Sequence, residues 1–209
     1  TAFIMEHHQR CGPGNAIIMQ YLLDWFRLPT SFEMALWLSQ IQQGMAMKYA
    51  VEHWRRSMPR GMGTLYWQIN DNWPVASWSS LDYFGRWKAL HYLAKAFYAP
   101  LLVSAVEDAT AGTVELHLTN DLRTDRAGQV CWMLVHVNGE TVASGCEPAH
   151  VAALSSRKVA TLDLAAPLAQ HGPRHLLLAI GYQVDGVWVS SNLTHFVRPK
   201  HVALQEPGI

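Results

Sequence analysis

Hydrophobic positions recur at two different periods along the chain, and the change falls near residue 98. Pro13-Gly14-Asn15 predicts a turn in which Asn15 caps the next helix. Ile17, Tyr21, Leu22 and Trp25 then recur at helical spacing to about Arg27, where Leu28-Pro29 stops the helix. Thr30-Ser31-Phe32-Glu33 has the form of a capping box, with Thr30 at the N-cap and Glu33 reaching back. Met34, Leu38, Ile41, Met45 and Tyr49 mark one face of a long helix to about Arg56. Pro59, Gly61 and Gly63 break the chain before Thr64-Leu65-Tyr66-Trp67-Gln68-Ile69, a short apolar run that predicts a buried strand. A polar loop with Trp73 and Trp78 leads to a helix from about Gly85 to Phe97. Helices around a strand give an α/β rhythm. One good strand cannot pair with itself, so residues 1–98 are expected to be a piece of something larger.

Beyond residue 98 the period drops to two. Leu101–Ala105, Gly112–Leu118, Gln129–Val137, Glu140–Gly145, Lys158–Leu164, Leu176–Tyr182 and Val187–Ser191 alternate or run apolar between turn signals. About seven strands in such a length predict an immunoglobulin-like β-sandwich over 99–198. Asn138-Gly139 and Asp185-Gly186 are the tight-turn signals, since a type I′ turn needs positive φ at both central residues. A two-residue Asn138-Gly139 turn without a bulge sets Cys131 opposite Cys146. It sets them in a hydrogen-bonded pair, the wider spacing and the less favourable one for a cross-strand disulfide. Two free thiols are therefore expected, with the disulfide as the alternative. Residues 199–209 read as a linker towards a further domain, without structure from His201 onward.

Composition sharpens this division. Seven of the nine Trp and seven of the eight Met lie in 1–98. Lys+Arg and Asp+Glu are 16 each in 209 residues, so there is no basic surplus for nucleic acid or an anionic membrane. No apolar run reaches the ~18 residues of a membrane span. No signal peptide is visible, and Thr1 in place of an initiator Met suggests that something precedes it.

The densest chemistry lies in Trp67-Gln68-Ile69-Asn70-Asp71-Asn72-Trp73, with Trp78 beyond. Flat indole faces fringed by short donors and acceptors suit a sugar, with its apolar C–H faces and hydroxyl rim. Core packing explains the aromatics equally well from composition alone. Glu6, Asp24, Glu33, Glu52, Asp71 and Asp82 are the carboxylates of this part, and no two form the facing pair of a glycosidase. His7 and His8 are adjacent, which disfavours a metal site; they read as supporting or surface groups. Phosphate-loop, C-x-x-C and dinucleotide motifs are absent from the sequence.

Met5-Glu6-His7-His8-Gln9-Arg10, Ala50-Val51-Glu52-His53-Trp54-Arg55-Arg56 and the run from Met62 to Ser80, with Gly85-Arg86-Trp87-Lys88-Ala89-Leu90-His91-Tyr92, closely resemble the β-mannosidases of glycoside hydrolase family 2. The resemblance covers nearly all of 1–104, and 105–209 more loosely. It implies a multidomain retaining exo-glycosidase acting on terminal β-D-mannose of oligosaccharides. On that map 1–98 is the C-terminal part of a (β/α)8 TIM barrel, with Thr64–Ile69 its eighth strand and Gly85–Phe97 its eighth helix. Residues 99–198 are the immunoglobulin-like sandwich beyond the barrel. Trp67 matches the Trp at the floor of the terminal-sugar subsite. Asn70, Asp71 and Trp73 share its motif and are expected to bind substrate with it, in or just behind the pocket, Asp71 being the more structural member; His7, His8 and Trp78 are read from the residues alone as supporting groups.

The resemblance also implies what is missing. The family's nucleophile lies in a Ser-Glu-Phe-Gly motif and its acid/base is a Glu after an Asn, and neither motif occurs here. No catalytic residue is therefore expected in this chain, which alone should be inactive. No cofactor or metal is implied. The partners implied are β-mannoside oligosaccharides and the remaining domains of the parent enzyme. Other family 2 enzymes (β-galactosidase, β-glucuronidase, endo-β-mannosidase) share the scaffold. A carbohydrate-binding module would need exposed aromatics on the sandwich, but Trp132 and Trp188 sit among apolar neighbours and are expected in its core. A structural, buttressing sandwich is the preferred reading. Localisation stays open, with a periplasmic, secreted or lysosomal setting favoured over the cytoplasm; Asn192-Leu193-Thr194 is an N-glycosylation sequon.

Overall fold

The computed structural model describes residues 2–204. These divide into two compact units, 2–53 with 63–97 and 54–62 with 98–204.

The first unit is helical. It holds α1 (Ala2–His7), α2 (Gly14–Trp25), most of α3 (Phe32–Arg56) and α4 (Ala89–Phe97). Short α1 occupies a segment for which the sequence pattern predicts no element. Asn15 is not the cap of α2: Pro13 precedes the helix and its carbonyl accepts the first bond, from Ile17 N, at 3.0 Å. The α3 cap also lies one residue later than expected. Ser31 Oγ accepts from Met34 N at 3.1 Å while its carbonyl accepts from Ala35 N, so Ser31, not Thr30, is the N-cap. Helix α4 starts at Ala89 rather than Gly85 because the preceding residues are committed to a turn. Asp82 Oδ1 accepts from Phe84 N and Arg86 N, both at 2.9 Å, and Leu81 bridges Trp87 across the turn.

The expected strand at 64–69 does not form. Among the described residues of this unit no strand lies beside it, and a ladder needs a partner. The segment is instead held by 80–81, with Ser80 N donating to Gln68 O at 2.9 Å and Leu81 N to Ile69 O at 2.8 Å. Nor is it buried: Leu65 is 99% exposed.

The second unit is an immunoglobulin-like sandwich of seven antiparallel strands. Its three-stranded sheet has the order β1 (Leu101–Asp108), β2 (Thr113–Asn120), β5 (Ser155–Asp163). The four-stranded sheet has the order β4 (Thr141–Val151), β3 (Arg126–His136), β6 (Leu176–Val184), β7 (Val187–His195). Alternate residues of both sheets, among them Val103, Leu116, Leu118, Leu134, Leu178 and Tyr182, meet in one core. A short helix, α5 (Ala165–His171), adds Leu168 to it; period-2 reasoning gave no hint of this element.

The two turn signals give different turns. Asp185 (φ 50°) and Gly186 (φ 79°) both take positive φ, as type I′ requires. At the other, only Gly139 does (φ 93°). His136 N donates to Glu140 O and Gly139 N to His136 O, both at 2.8 Å, which closes a three-residue loop. A bulge between Leu134 and Val135 then restores the pairing, so that Cys131 still faces Cys146. The longer loop exchanges the two classes of cross-strand pair. The cysteines fall at the close spacing, with Cα atoms 4.0 Å apart, and they form a disulfide rather than remaining free thiols.

Two further expectations fail. Trp132 packs against the core as expected, but Trp188 is 58% exposed. The β6–β7 pairing slips between Tyr182 and Gln183, making Val189 an extra residue; Trp188 is turned to the outer face, where it lies over Gly181. The supposed linker is ordered through Ala203: a 3₁₀ turn at Pro199–His201 leads to buried Val202, and Ala203 N donates to Arg174 O at 2.8 Å. Residues 205–209 lie outside the described ones.

The sequon is folded into β7. Asn192 Nδ2 donates to Val103 O at 3.0 Å, and Thr194 is buried. Expression in a glycosylating host should therefore leave Asn192 unmodified, which peptide mass spectrometry would read directly.

On the outer face of the three-stranded sheet, His117 Nε2 lies 3.2 Å from Glu115 Oε2. Burial pulls the His117 pKa below its ordinary value; Glu115 opposes this, while Arg56 and Lys158 add to it. The unfolded chain therefore binds more protons below about pH 6.5. Stability contributed by the neutral ring is complete above that pH and is lost as pH falls through the lower, folded value. His117→Gln should flatten this acid limb in urea titrations between about pH 7 and 5. An unchanged slope would count against it.

Candidate functional site

Residues 64–69 keep a two-residue alternation of half-buried and exposed positions without being in a sheet. Tyr66 is tied down by its hydroxyl, 2.8 Å from Ser80 Oγ, and Gln68 by its carbonyl. Leu65, Trp67 and Ile69 point away from these anchors, and Trp67 is 77% exposed. The Trp67–Gln68 peptide is cis. Asn70 is also exposed. An indole and a carboxamide thus stand open, three residues apart, on a segment fixed from behind.

Asp71 has the opposite fate. It is buried, bonded to the Ser79 hydroxyl and paired with Lys88, whose Nζ lies 3.1 Å from Asp71 Oδ2. The ammonium also donates to Val75 O (3.1 Å), Ser77 O (3.0 Å) and Ser79 Oγ (2.9 Å). Burial lowers the Lys88 pKa, against the hydrogen bond and charge of Asp71 and the charge of Asp82. Asp71 Oδ1 in turn accepts from Gln68 Nε2 at 3.4 Å. Asp71 holds the loop together and is not offered to a ligand.

Trp73 sits with residues 7–10. Its Nε1 donates to His7 O at 3.2 Å, its ring lies 5.3 Å from that of His7, and the Arg10 guanidinium lies 4.0 Å from its centroid. His8 Nδ1 donates to Pro74 O at 2.7 Å. His7 and His8 are thus placed against the Trp73 loop. Trp78 points elsewhere: it lines a cavity of about 460 Å³ with Ile18, Trp25 and Gln43 of α2 and α3. A second cavity, of about 470 Å³, is lined by His8, Gln9, Pro74, Arg86, Trp87 and Lys88. Neither is lined by Trp67 or Asn70, the exposed candidate sugar-facing groups.

Lys88 is the residue that sequence reasoning passed over. Nothing in its local pattern marks it as buried, and a lone Lys before a helix usually faces solvent. Carboxylates of this unit engaged in ion pairs include Glu52 with Lys48 at 3.2 Å, Asp82 with Arg86 at 2.6 Å, and Asp71 with Lys88. Among the described residues, no three His, Cys, Asp or Glu side chains are grouped to hold a metal ion.

The sandwich, and the Trp-Gln-Ile-Asn-Asp-Asn-Trp segment fixed by a helical unit before it, define the class: the C-terminal region of family 2 glycoside hydrolases. Residues 112–201 match the Mannosidase Ig/CBM-like domain, and the chain is a homologue of the β-mannosidases of that family. It is 31% identical over 188 residues to β-mannosidase A of Aspergillus oryzae, covering 82% of this chain and 20% of that protein. With the β-mannosidase of Capra hircus it shares 42% identity over 115 residues, covering 49% and 13% respectively. The crystal structure of β-D-mannosidase from Dictyoglomus thermophilum superposes on 96% of this chain, and on 24% of that one, with a TM-score of 0.86 at 25% identity. The chain spans about a fifth of the length of the Aspergillus relative.

Proposed function

We propose that this chain is the C-terminal part of a retaining exo-β-mannosidase and supplies one wall of its terminal-sugar subsite. The observation that carries the reading is Trp67, held from behind by residues 80–81 and open in front. Residues 1–98 are read as the closing portion of a (β/α)8 barrel, in which 64–69 would gain the neighbouring strands it lacks here. Trp67 would stack on the mannose ring, and Asn70 would reach its hydroxyl rim. Trp73, braced by His7 and Arg10, would back that wall. The sandwich over 99–198 would buttress the barrel.

Retention requires two carboxyls about 5–5.5 Å apart across the glycosidic bond. On this reading both come from the rest of the enzyme. One Glu would protonate the leaving oxygen while the other attacks the anomeric carbon, and water would release mannose from the glycosyl-enzyme. The test is a panel of aryl β-mannoside, β-galactoside and β-glucuronide. A chain of full family length carrying this segment should cleave the mannoside preferentially, and the 209-residue chain should cleave none. Preference for another glycoside would select a sister activity; turnover by the short chain would overturn the assignment of the carboxyls.

A non-catalytic carbohydrate-binding reading has one observation in its favour, the exposure of Trp188. Retention of the short chain on a mannan column, lost in Trp188→Ala, would support it.

A further inference from the structure

We propose that Lys88 is a positioning residue for the saccharide site, its buried ammonium clamping the 71–79 loop and, through Asp71, the segment that presents Trp67 and Asn70. This rests on the mannosidase function proposed for the chain and goes beyond it, because Lys88 touches no sugar.

The geometry is that of a clamp. The Lys88 and Asp71 side chains are each only 3% exposed, and the ammonium reaches four acceptors on residues 71, 75, 77 and 79. An ammonium has three protons, so it shares them among a loop that would otherwise present two bare carbonyls and a carboxylate. Ser79 extends the clamp. Its hydroxyl is bonded to Asp71, and its neighbour Ser80 donates its backbone N–H to Gln68 O and its hydroxyl to Ile69 O at 3.2 Å. From the other side Asp71 accepts from Gln68 Nε2. Both routes end on the residues flanking Trp67 and Asn70. No helix or sheet ladder holds this segment among the described residues, so the clamp and residues 80–81 fix where the indole stands.

A side chain that acts by position is distinguished from one that only stabilises by separating activity from melting temperature. In a β-mannosidase of full family length carrying this segment, Lys88→Met should lower kcat/KM on an aryl β-mannoside at least tenfold, measured well below its melting temperature. Misplacement of a binding group by about 1 Å can cost up to about 10²-fold. The pair variant K88M/D71N removes both charges together and should recover most of the melting temperature, since no lone buried charge remains. Its kcat/KM should stay depressed, with KM raised, because an uncharged pair no longer gathers the loop carbonyls. Should Lys88→Met fail to fold, the pair variant alone decides. Recovery of kcat/KM together with melting temperature, or wild-type kcat/KM in Lys88→Met, overturns the positioning role while leaving the mannosidase reading intact. A parent enzyme inactive on every β-mannoside overturns both.

Discussion

Asp71→Ala is expected to destabilise the helical unit by about 3–5 kcal/mol, the range for breaking a buried ion pair by removing one partner. The cost does not come from the attraction between Asp71 and Lys88 as such. It comes from what is left: an ammonium 3% exposed whose remaining acceptors are neutral. Lys88 already has its pKa lowered by burial, and without Asp71 it would shed its proton more readily. Loss of that proton is the relief available to the variant, so the penalty should shrink as pH rises towards the ordinary lysine range. Arg86→Ala is the matched control. Its side chain is 75% exposed, it pairs with Asp82 without touching the carboxylate's backbone bonds, and exposed pairs contribute about 1 kcal/mol or less. Thermal unfolding followed by circular dichroism reads both. Equal shifts for the two variants would mean that Lys88 is solvated when Asp71 is gone.

The sandwich was legible because its signals are local. A strand with one face in a core alternates, and the tight-turn signals lie between such runs, so all seven strands could be read. What failed were the places where a residue answers to something distant. Asn138-Gly139 and Asp185-Gly186 carry the same signal, yet only the second makes the two-residue turn. At the first, Val137 N donates to His175 O at 2.8 Å, a partner in the approach to β6, and the loop opens to three residues. That one residue exchanged the hydrogen-bonded and non-hydrogen-bonded pairs, and with them the geometry at Cys131 and Cys146. Trp188 shows the same limit. Strict alternation puts it on the face of Ser190, towards the core; the Val189 bulge reverses it.

In the helical unit, the spacing of apolar residues found α2, α3 and most of α4, while the capping groups were each misplaced by a residue or more. Short polar side chains compete for the same backbone N–H groups, and sequence alone does not say which wins. The candidate site divides in the same way. Trp67, Asn70 and Trp73 stand out by residue type, and the resemblance of their segment to β-mannosidases is what implies the role proposed for them. Lys88 does not stand out, because its burial is created by carbonyls of residues 75 and 77 that any sequence would carry. Residues 64–69 failed for the reverse reason: their alternation is that of a strand, and the ladder that would make them one needs a partner.

Trp67→Ala, in an enzyme of full family length carrying this segment, should on the proposed function lower kcat/KM on an aryl β-mannoside by on the order of 10²-fold, about 2.7 kcal/mol of transition-state contact. The indole is 77% exposed in this chain, so its removal opens no packed core here and sacrifices few contacts of its own. The effect should therefore appear in kinetics with little change in melting temperature, the reverse of Asp71→Ala. Stacking on a flat sugar face tightens as the ring flattens towards an oxocarbenium-like geometry. The loss should accordingly fall on kcat as well as KM, since contacts stronger in the transition state are the ones that raise kcat. Trp67→Phe keeps an aromatic face and should recover part of it. Trp78→Ala is the contrasting variant: it lines the cavity beside α2 and α3, so its larger effect should be on melting temperature. Unchanged kinetics in Trp67→Ala would remove Trp67 from the subsite and leave its exposure to be explained by packing against the rest of the enzyme.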